Sequence, residues 1–140
     1  GAAFGAGDHA TTRLCLEALE TLVRPGAHVA DFGCGSGVLG LAALALGGER
    51  AVMVDREPAA VEQAAAEAER NGYGPRVEAR VGGVAALGEE SFDLILANVF
   101  GGRLVPLLPE LRRRSRPRGR MVLGGILDEH RAAIIASCRI

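Results

Sequence analysis

The segment Asp31-Phe32-Gly33-Cys34-Gly35-Ser36-Gly37 constrains the fold more than any other part of the chain. It follows a short apolar run, His28-Val29-Ala30, and precedes an apolar helical stretch, Val38-Leu39-Gly40-Leu41-Ala42-Ala43-Leu44. A strand that enters a glycine-dense turn and then opens a helix gathers backbone N–H groups and the positive end of a helix dipole in one place. A second apolar run, Ala51-Val52-Met53-Val54, ends in Asp55. An acid at the tip of the second strand is placed to accept hydrogen bonds from the two hydroxyls of a ribose. Glycine turn and acid together predict an adenosine-type ligand.

The glycine pattern admits two such ligands. Gly35-Ser36-Gly37-Val38-Leu39-Gly40 satisfies the dinucleotide pattern G-x-G-x-x-G. The whole segment also fits D-x-G-x-G-x-G, the pattern of S-adenosylmethionine methyltransferases. Asp31 favours the second: a carboxylate at the end of the first strand repels a pyrophosphate but suits the ammonium group of a methionine moiety. The dinucleotide reading also leaves Asp31 and Gly33 without a role. A tight turn with no ligand would need fewer glycines.

At 140 residues, 49 % of them hydrophobic, the chain reads as one domain over residues 1–140 with enough apolar content for a sizeable core. The first residue is Gly rather than Met, so a piece of a longer protein is expected. The net charge of −1 gives no global electrostatic case for nucleic acid or an anionic membrane. All basic side chains other than His are Arg, which reads as base-composition bias. No apolar stretch is long enough to span a bilayer, and no signal-peptide pattern opens the chain. Cys15, Cys34 and Cys138 lack metal-ligand or disulfide-framework spacing and suit a reducing compartment, so a cytoplasmic location is expected. Nothing in the sequence supplies Cys34 with a base, which argues against a nucleophile. No residues point to a metal site; His28 and His130 have no ligating company.

Periodicity predicts alternating strands and helices. Thr11 to Val23 is helical, ended by Arg24-Pro25-Gly26, and His28–Phe32 is the first strand. A helix from about Ser36 to Leu46 leads to a second strand, Ala51–Val54. Glu57-Pro58 opens a third helix that Asn71-Gly72 closes. Arg76–Val81 alternates apolar and charged residues as a peripheral strand does, and Phe92–Ala97 reads as a central parallel strand. A helix at Leu104–Leu111, a strand at Met121-Val122-Leu123 and a last helix at Asp128–Ser137 follow. This order implies a doubly wound, Rossmann-like α/β sheet. The arginine-dominated run Arg112 to Arg120 has no interleaved aromatics and reads as a solvated loop rather than an RNA contact.

Ligands of doubly wound sheets sit outside the carboxyl ends of the strands. That groups Asp31–Gly37, Asp55, the Val81-Gly82-Gly83 turn and Asn98. Asn98 ends a buried strand, where an amide must find partners. Its side-chain oxygen suits the hydrogens of a substrate amine; the alternative is an Asn that ties its own turn. In-line displacement at an activated methyl needs mainly alignment, so no catalytic dyad is demanded. The N-terminal segment Ala3 to Thr12 suits a flexible lid, or a free terminus followed by helix capping at Thr11 and Thr12.

The chain resembles the catalytic domain of the ribosomal-protein methyltransferases of the PrmA family. The resemblance is carried by Ala3-Phe4-Gly5-x-Gly7-x-His9-x-Thr11-Thr12-Arg13-Leu14-Cys15-Leu16 and by Asp31 to Leu39. Ala68-Glu69-Arg70-Asn71-Gly72, Ala97-Asn98 and Gly125-Ile126-Leu127 extend it along nearly the whole chain. It implies S-adenosyl-L-methionine as donor and amines of a ribosomal protein, lysine side chains or an N-terminal amine, as acceptors. It places cofactor contacts on Thr12, Gly33, Asp55 and Asn98, and strengthens the lid reading of Phe4-Gly5. Ala6, Ala10, Val99-Phe100 and Arg118 depart from the family's usual residues, with Arg118 standing where Gly is usual. The family's separate N-terminal recognition domain and last two strands are not expected in this chain, which would leave strand five an open edge.

The expectation is therefore an α/β methyltransferase domain acting on protein amines. Gly33, Gly35 and Gly37 admit the cofactor to the backbone, with Asp31 near its ammonium. Asp55 holds the ribose, Thr12 closes the site and Asn98 orients the amine. A non-catalytic cofactor-binding remnant and a nucleotide-dependent oxidoreductase are the alternatives.

Overall fold

A computed structural model of the chain describes residues 6–98, 103–126 and 132–139. The elements in order are α1 (Ala6–Leu22), β1 (His28–Phe32), α2 (Val38–Ala45), β2 (Arg50–Asp55), α3 (Pro58–Arg70), β3 (Val77–Val81), β4 (Phe92–Asn98), α4 (Leu108–Arg113), β5 (Ser115–Ile126) and β6 (Ala132–Arg139). The sheet order is β3-β2-β1-β4-β5-β6. The first five strands are parallel, fewer than the seven of a full sheet of this kind, and β6 is antiparallel to β5. The reversal of strand order between β1 and β4 opens a crevice at their carboxyl ends, the ligand position of such sheets.

Strand residues alternate between two cores. Val29, Met53, Leu94, Leu96 and Val122 face α1 and α2 in one cluster. Ala30, Val54, Ile95, Met121 and Leu123 face Leu104 and Leu111 in the other. Both faces of β1, β2 and β4 are therefore dry, which explains why their sequences are continuous apolar runs rather than alternating ones. β3 forms one edge of the sheet and alternates apolar residues with Glu78 and Arg80. Those charges join Arg50 and Glu90 in an ion-pair network, and charged side chains of this kind discourage pairing with another chain.

Close packing of α2 on the sheet needs a glycine at position 40. A β-carbon there would stand 2.6 Å from Met53 Cε and 3.0 Å from Asp31 Oδ2, both buried. Gly40→Ala is expected to cost about 1–3 kcal/mol by overpacking, read as a fall in thermal midpoint.

Two expectations are corrected at the carboxyl-terminal side. The arginine run is not a loop: Arg112 and Arg113 end α4, and Ser115–Arg120 is the first half of β5. Arg114 is 5 % exposed, because its Nε donates to the Gly88 carbonyl and its Nη1 to the Glu110 carbonyl and carboxylate. A buried guanidinium is tolerable only when its donors are satisfied in this way. The last helix is also not formed: Ala132–Arg139 pairs along β5 from Arg120↔Arg139 to Ile126↔Ala132. The unpaired N–H and C=O groups of an edge strand outweigh the local helix preference of Ala132-Ala133. Residues 128–131 of the expected helix lie outside the described residues.

Candidate functional site

At the carboxyl ends of the strands lies a cavity of about 300 Å³ lined by Phe32, Gly33, Val54, Asp55, Arg56, Glu57, Gly82, Asn98, Arg103 and Leu107. Gly33, Asp55 and Asn98, drawn from β1, β2 and β4, meet here, as does Gly82 of the turn after β3. Asp55 sits one turn before α3, where an acid is favoured by the helix dipole. Its Oδ2 accepts from the Gly35 N–H at 2.9 Å and its Oδ1 from the Glu57 N–H at 2.9 Å. A carboxylate offers about four acceptor positions, so two remain for hydroxyls.

The glycine turn is tied to β2 rather than left open. The N–H groups of Gly33 and Cys34 both donate to the Val54 carbonyl, at 2.8 and 3.0 Å, and Gly37 N–H donates to the Cys34 carbonyl at 2.8 Å. With Gly35 on Asp55, four donors of the turn are engaged within the protein. Gly33, Gly35 and Gly37 have φ of 76°, 54° and 84°, a region costly for residues with a β-carbon. Only Gly33 of the three lines the cavity. Gly37 has a packing task instead, since a β-carbon would lie 3.1 Å from both Ala64 Cβ and Met53 Sδ.

Asp31 lies behind the turn. It is 1 % exposed, faces the α1–α2 side of the sheet and is not among the cavity-lining residues. Its Oδ2 accepts from the Gly40 N–H at 3.0 Å, capping one of the orphan donors in the first turn of α2. Its Oδ1 is buried without a partner among the described residues. Burial pushes its pKa up to about 7, opposed by the Gly40 hydrogen bond and assisted by the negative charge of Asp55. The neighbouring Cys34 thiol is buried too, and burial with the charges of Asp31 and Asp55 pushes its pKa far upward. A thiol held protonated in this way is no nucleophile.

Asn98 is half-buried at the tip of β4. The side chain of Thr12, the Phe4-Gly5 part of the expected lid and Val99-Phe100 lie outside the described residues; the backbone from Ala6 onward belongs to α1. Arg56, Glu57, Arg103 and Leu107 were not singled out by sequence. Arg56 and Glu57 follow directly on Asp55, a position that could have flagged them, whereas Arg103 and Leu107 carry no motif.

A 3-2-1-4-5 parallel core with a glycine turn, a strand-two acid and a strand-four amide around one crevice defines a Rossmann-like methyltransferase domain. The profile of the family described as "Ribosomal protein L11 methyltransferase (PrmA)" matches residues 1–139, and the chain belongs to that family. It is 45 % identical over 137 residues to a ribosomal protein L11 methyltransferase of Pseudomonas aeruginosa, covering 98 % of this chain and 46 % of that protein. A relative of the same name from Symbiobacterium thermophilum is 41 % identical over 134 residues, 96 % of this chain and 43 % of that one. The crystal structure of a ribosomal protein L11 methylase from Lactobacillus delbrueckii subsp. bulgaricus superposes with a TM-score of 0.74 at 32 % identity, over 86 % of this chain and 61 % of that one. The chain thus spans less than half the length of the curated relatives it matches. The family's methyl donor is S-adenosyl-L-methionine. No helix among the described residues is long and apolar enough to cross a membrane.

Proposed function

We propose that residues 1–140 act as a catalytic domain that transfers methyl groups from S-adenosyl-L-methionine to amines of a ribosomal protein, the one for which the family is named. The observation that carries this reading is the meeting of Gly33, Asp55 and Asn98 around one cavity. The residues present fit the donor. Asp55 keeps acceptor capacity for two ribose hydroxyls, Gly33 lets the donor approach the backbone, and the orphaned Asp31 Oδ1 behind the turn belongs to a carboxyl whose ionised form an ammonium would favour. A dinucleotide fits less well, because four N–H groups of the turn that would cradle a pyrophosphate already hold Val54, Asp55 and Cys34.

When bound, S-adenosyl-L-methionine supplies a methyl carbon already activated by its sulfonium. The residues of this chain then have a task of position. The Asn98 carbonyl oxygen accepts a hydrogen of the incoming amine and turns its lone pair toward the cavity. An α-amine of pKa about 7.7–8.0 is partly neutral at physiological pH, whereas a lysine near 10.4 must first release its proton. Thr12, carried over from the family resemblance, is read as a further contact closing the cofactor site.

Calorimetric titration with S-adenosyl-L-methionine, with NAD as control, tests the cofactor, and mass spectrometry of the ribosomal protein after incubation tests the transfer. Saturable binding and mass increases of whole methyl groups are expected. Binding of NAD alone returns the oxidoreductase, and binding without transfer returns a non-catalytic domain. Asn98→Ala is expected to lower kcat about tenfold or more through lost alignment, with a smaller change in cofactor Kd. Equal losses in both would make Asn98 a binding residue only.

A further inference from the structure

At the opposite ends of the strands, a second cavity of about 300 Å³ lies between the turn after α1 and the start of β4 and β5. Asp93 to Asn98 separates it from the methyl-transfer cavity by about 16 Å of strand. Three arginines are among its lining residues, Arg24, Arg118 and Arg120.

The charges around this cavity do not cancel. Three other arginines of the same run are paired, Arg113 with Glu89 and Glu110, Arg114 with Glu110, and Arg116 with Asp93, while Arg112 is solvent-exposed on α4. Arg24, Arg118 and Arg120 have no carboxylate partner among the described residues. The one acid in the lining, Asp93, has its Oδ2 engaged by the His28 N–H at 2.8 Å and Arg116 Nη1 at 2.9 Å. Arg120 Nε is buried and donates to no described residue. A dehydrated donor of this kind normally has an acceptor.

Backbone geometry adds an independent observation. Arg118 has φ of 68°, alone among the described non-glycine residues in taking a positive φ. It follows Pro117 where the pairing of β4 with β5 shifts register between Phe92 and Leu94, and a left-handed φ of this kind is ordinarily taken by Gly. Strain held at a cavity wall points to a function for the side chain that causes it. Here that side chain is a guanidinium.

We infer that Arg24, Arg118 and Arg120 form an anion site at the amino ends of β4 and β5 that takes a phosphate group. Guanidiniums match the tetrahedral oxygens of phosphate by forked, charge-assisted hydrogen bonds. The charge is local, so the near-neutral balance of the whole chain does not oppose it. The phosphate is either that of a small phosphorylated molecule or that of an RNA backbone, which presents the same group.

Inorganic phosphate titrated into the chain at constant ionic strength, with chloride as control, tests the site. Wild type is expected to show a saturable rise of a few degrees in thermal midpoint. Arg118→Gly is expected to melt higher than wild type without phosphate, since its strain is relieved, yet to bind phosphate at least tenfold more weakly. Arg120→Gln should weaken binding likewise, while Arg112→Gln, on exposed α4, should not. Displacement of phosphate by a short single-stranded RNA identifies the source as nucleic acid; phosphate binding without displacement identifies a small ligand. A response shared by chloride, or unchanged in both Arg118→Gly and Arg120→Gln, overturns the site. Displacement by an acidic peptide but not by RNA overturns the phosphate assignment.

Discussion

Asp55→Ala is expected to weaken S-adenosyl-L-methionine binding by about two to four orders of magnitude. Two hydrogen bonds from ribose hydroxyls to an ionised acceptor contribute about 1.5–3 kcal/mol each. The substitution also strips the Gly35 and Glu57 N–H groups of their acceptor, so the turn and the start of α3 loosen together. Asp55→Asn separates the two effects: its amide oxygen retains one of the backbone bonds and part of the ribose contact, so it should fall between wild type and Ala. Calorimetry on samples with matched circular dichroism provides the measurement. An Ala variant that binds within tenfold of wild type would remove Asp55 from the ribose.

That test reaches residues the sequence made visible, and the reason is physical. β1 was readable to the residue, because a short apolar run stops at a glycine turn and no helix of that length can be built there. Asp55, Gly33, Gly82 and Asn98 were legible because each follows the last apolar residue of a strand, and parallel strands end on one edge. Depth was harder to read. The glycine motif groups Asp31 with the ligand side but does not show its burial: alternation along β1 puts it on the same face as Val29, beneath α2, so any effect on the ligand is exerted from behind the turn. The β5 boundary was misplaced because five arginines between positions 112 and 118 mask a strand's pattern, although Arg114 is a core residue by virtue of its carbonyl partners. Arg103 reaches the cavity from beyond β4 with no periodic signature at all. Ala132–Arg139 shows the converse, a segment whose form is set by the free edge of β5 and not by its own preference.

Asp31 gives the other large effect, and it is a matter of pH. Its folded pKa, about 7, stands above the ordinary 3.8, so the native state holds this proton more tightly than the unfolded chain does. The stability it contributes is fully present below pH 3.8 and is lost as the pH climbs to about 7. A shift of this size corresponds to about 4 kcal/mol across that window. Glu78 and Glu110 act in the opposite direction, since their arginine partners hold their pKa values down, so the whole-protein curve mixes the two trends. The difference between wild type and Asp31→Asn isolates the first. The amide oxygen of Asn still accepts from Gly40 and cannot ionise, so the variant should gain on wild type steadily from pH 4 to pH 7 and run parallel to it above. The same ionisation links stability to ligand: an ammonium near the unpartnered Oδ1 favours the charged carboxylate, so cofactor binding near pH 6 should release a proton. Titrations in buffers of different ionisation heat would detect that proton in wild type and not in Asp31→Asn. Parallel stability curves across pH 4–7 would mean that Asp31 is already ionised in the apo chain and that solvent reaches it.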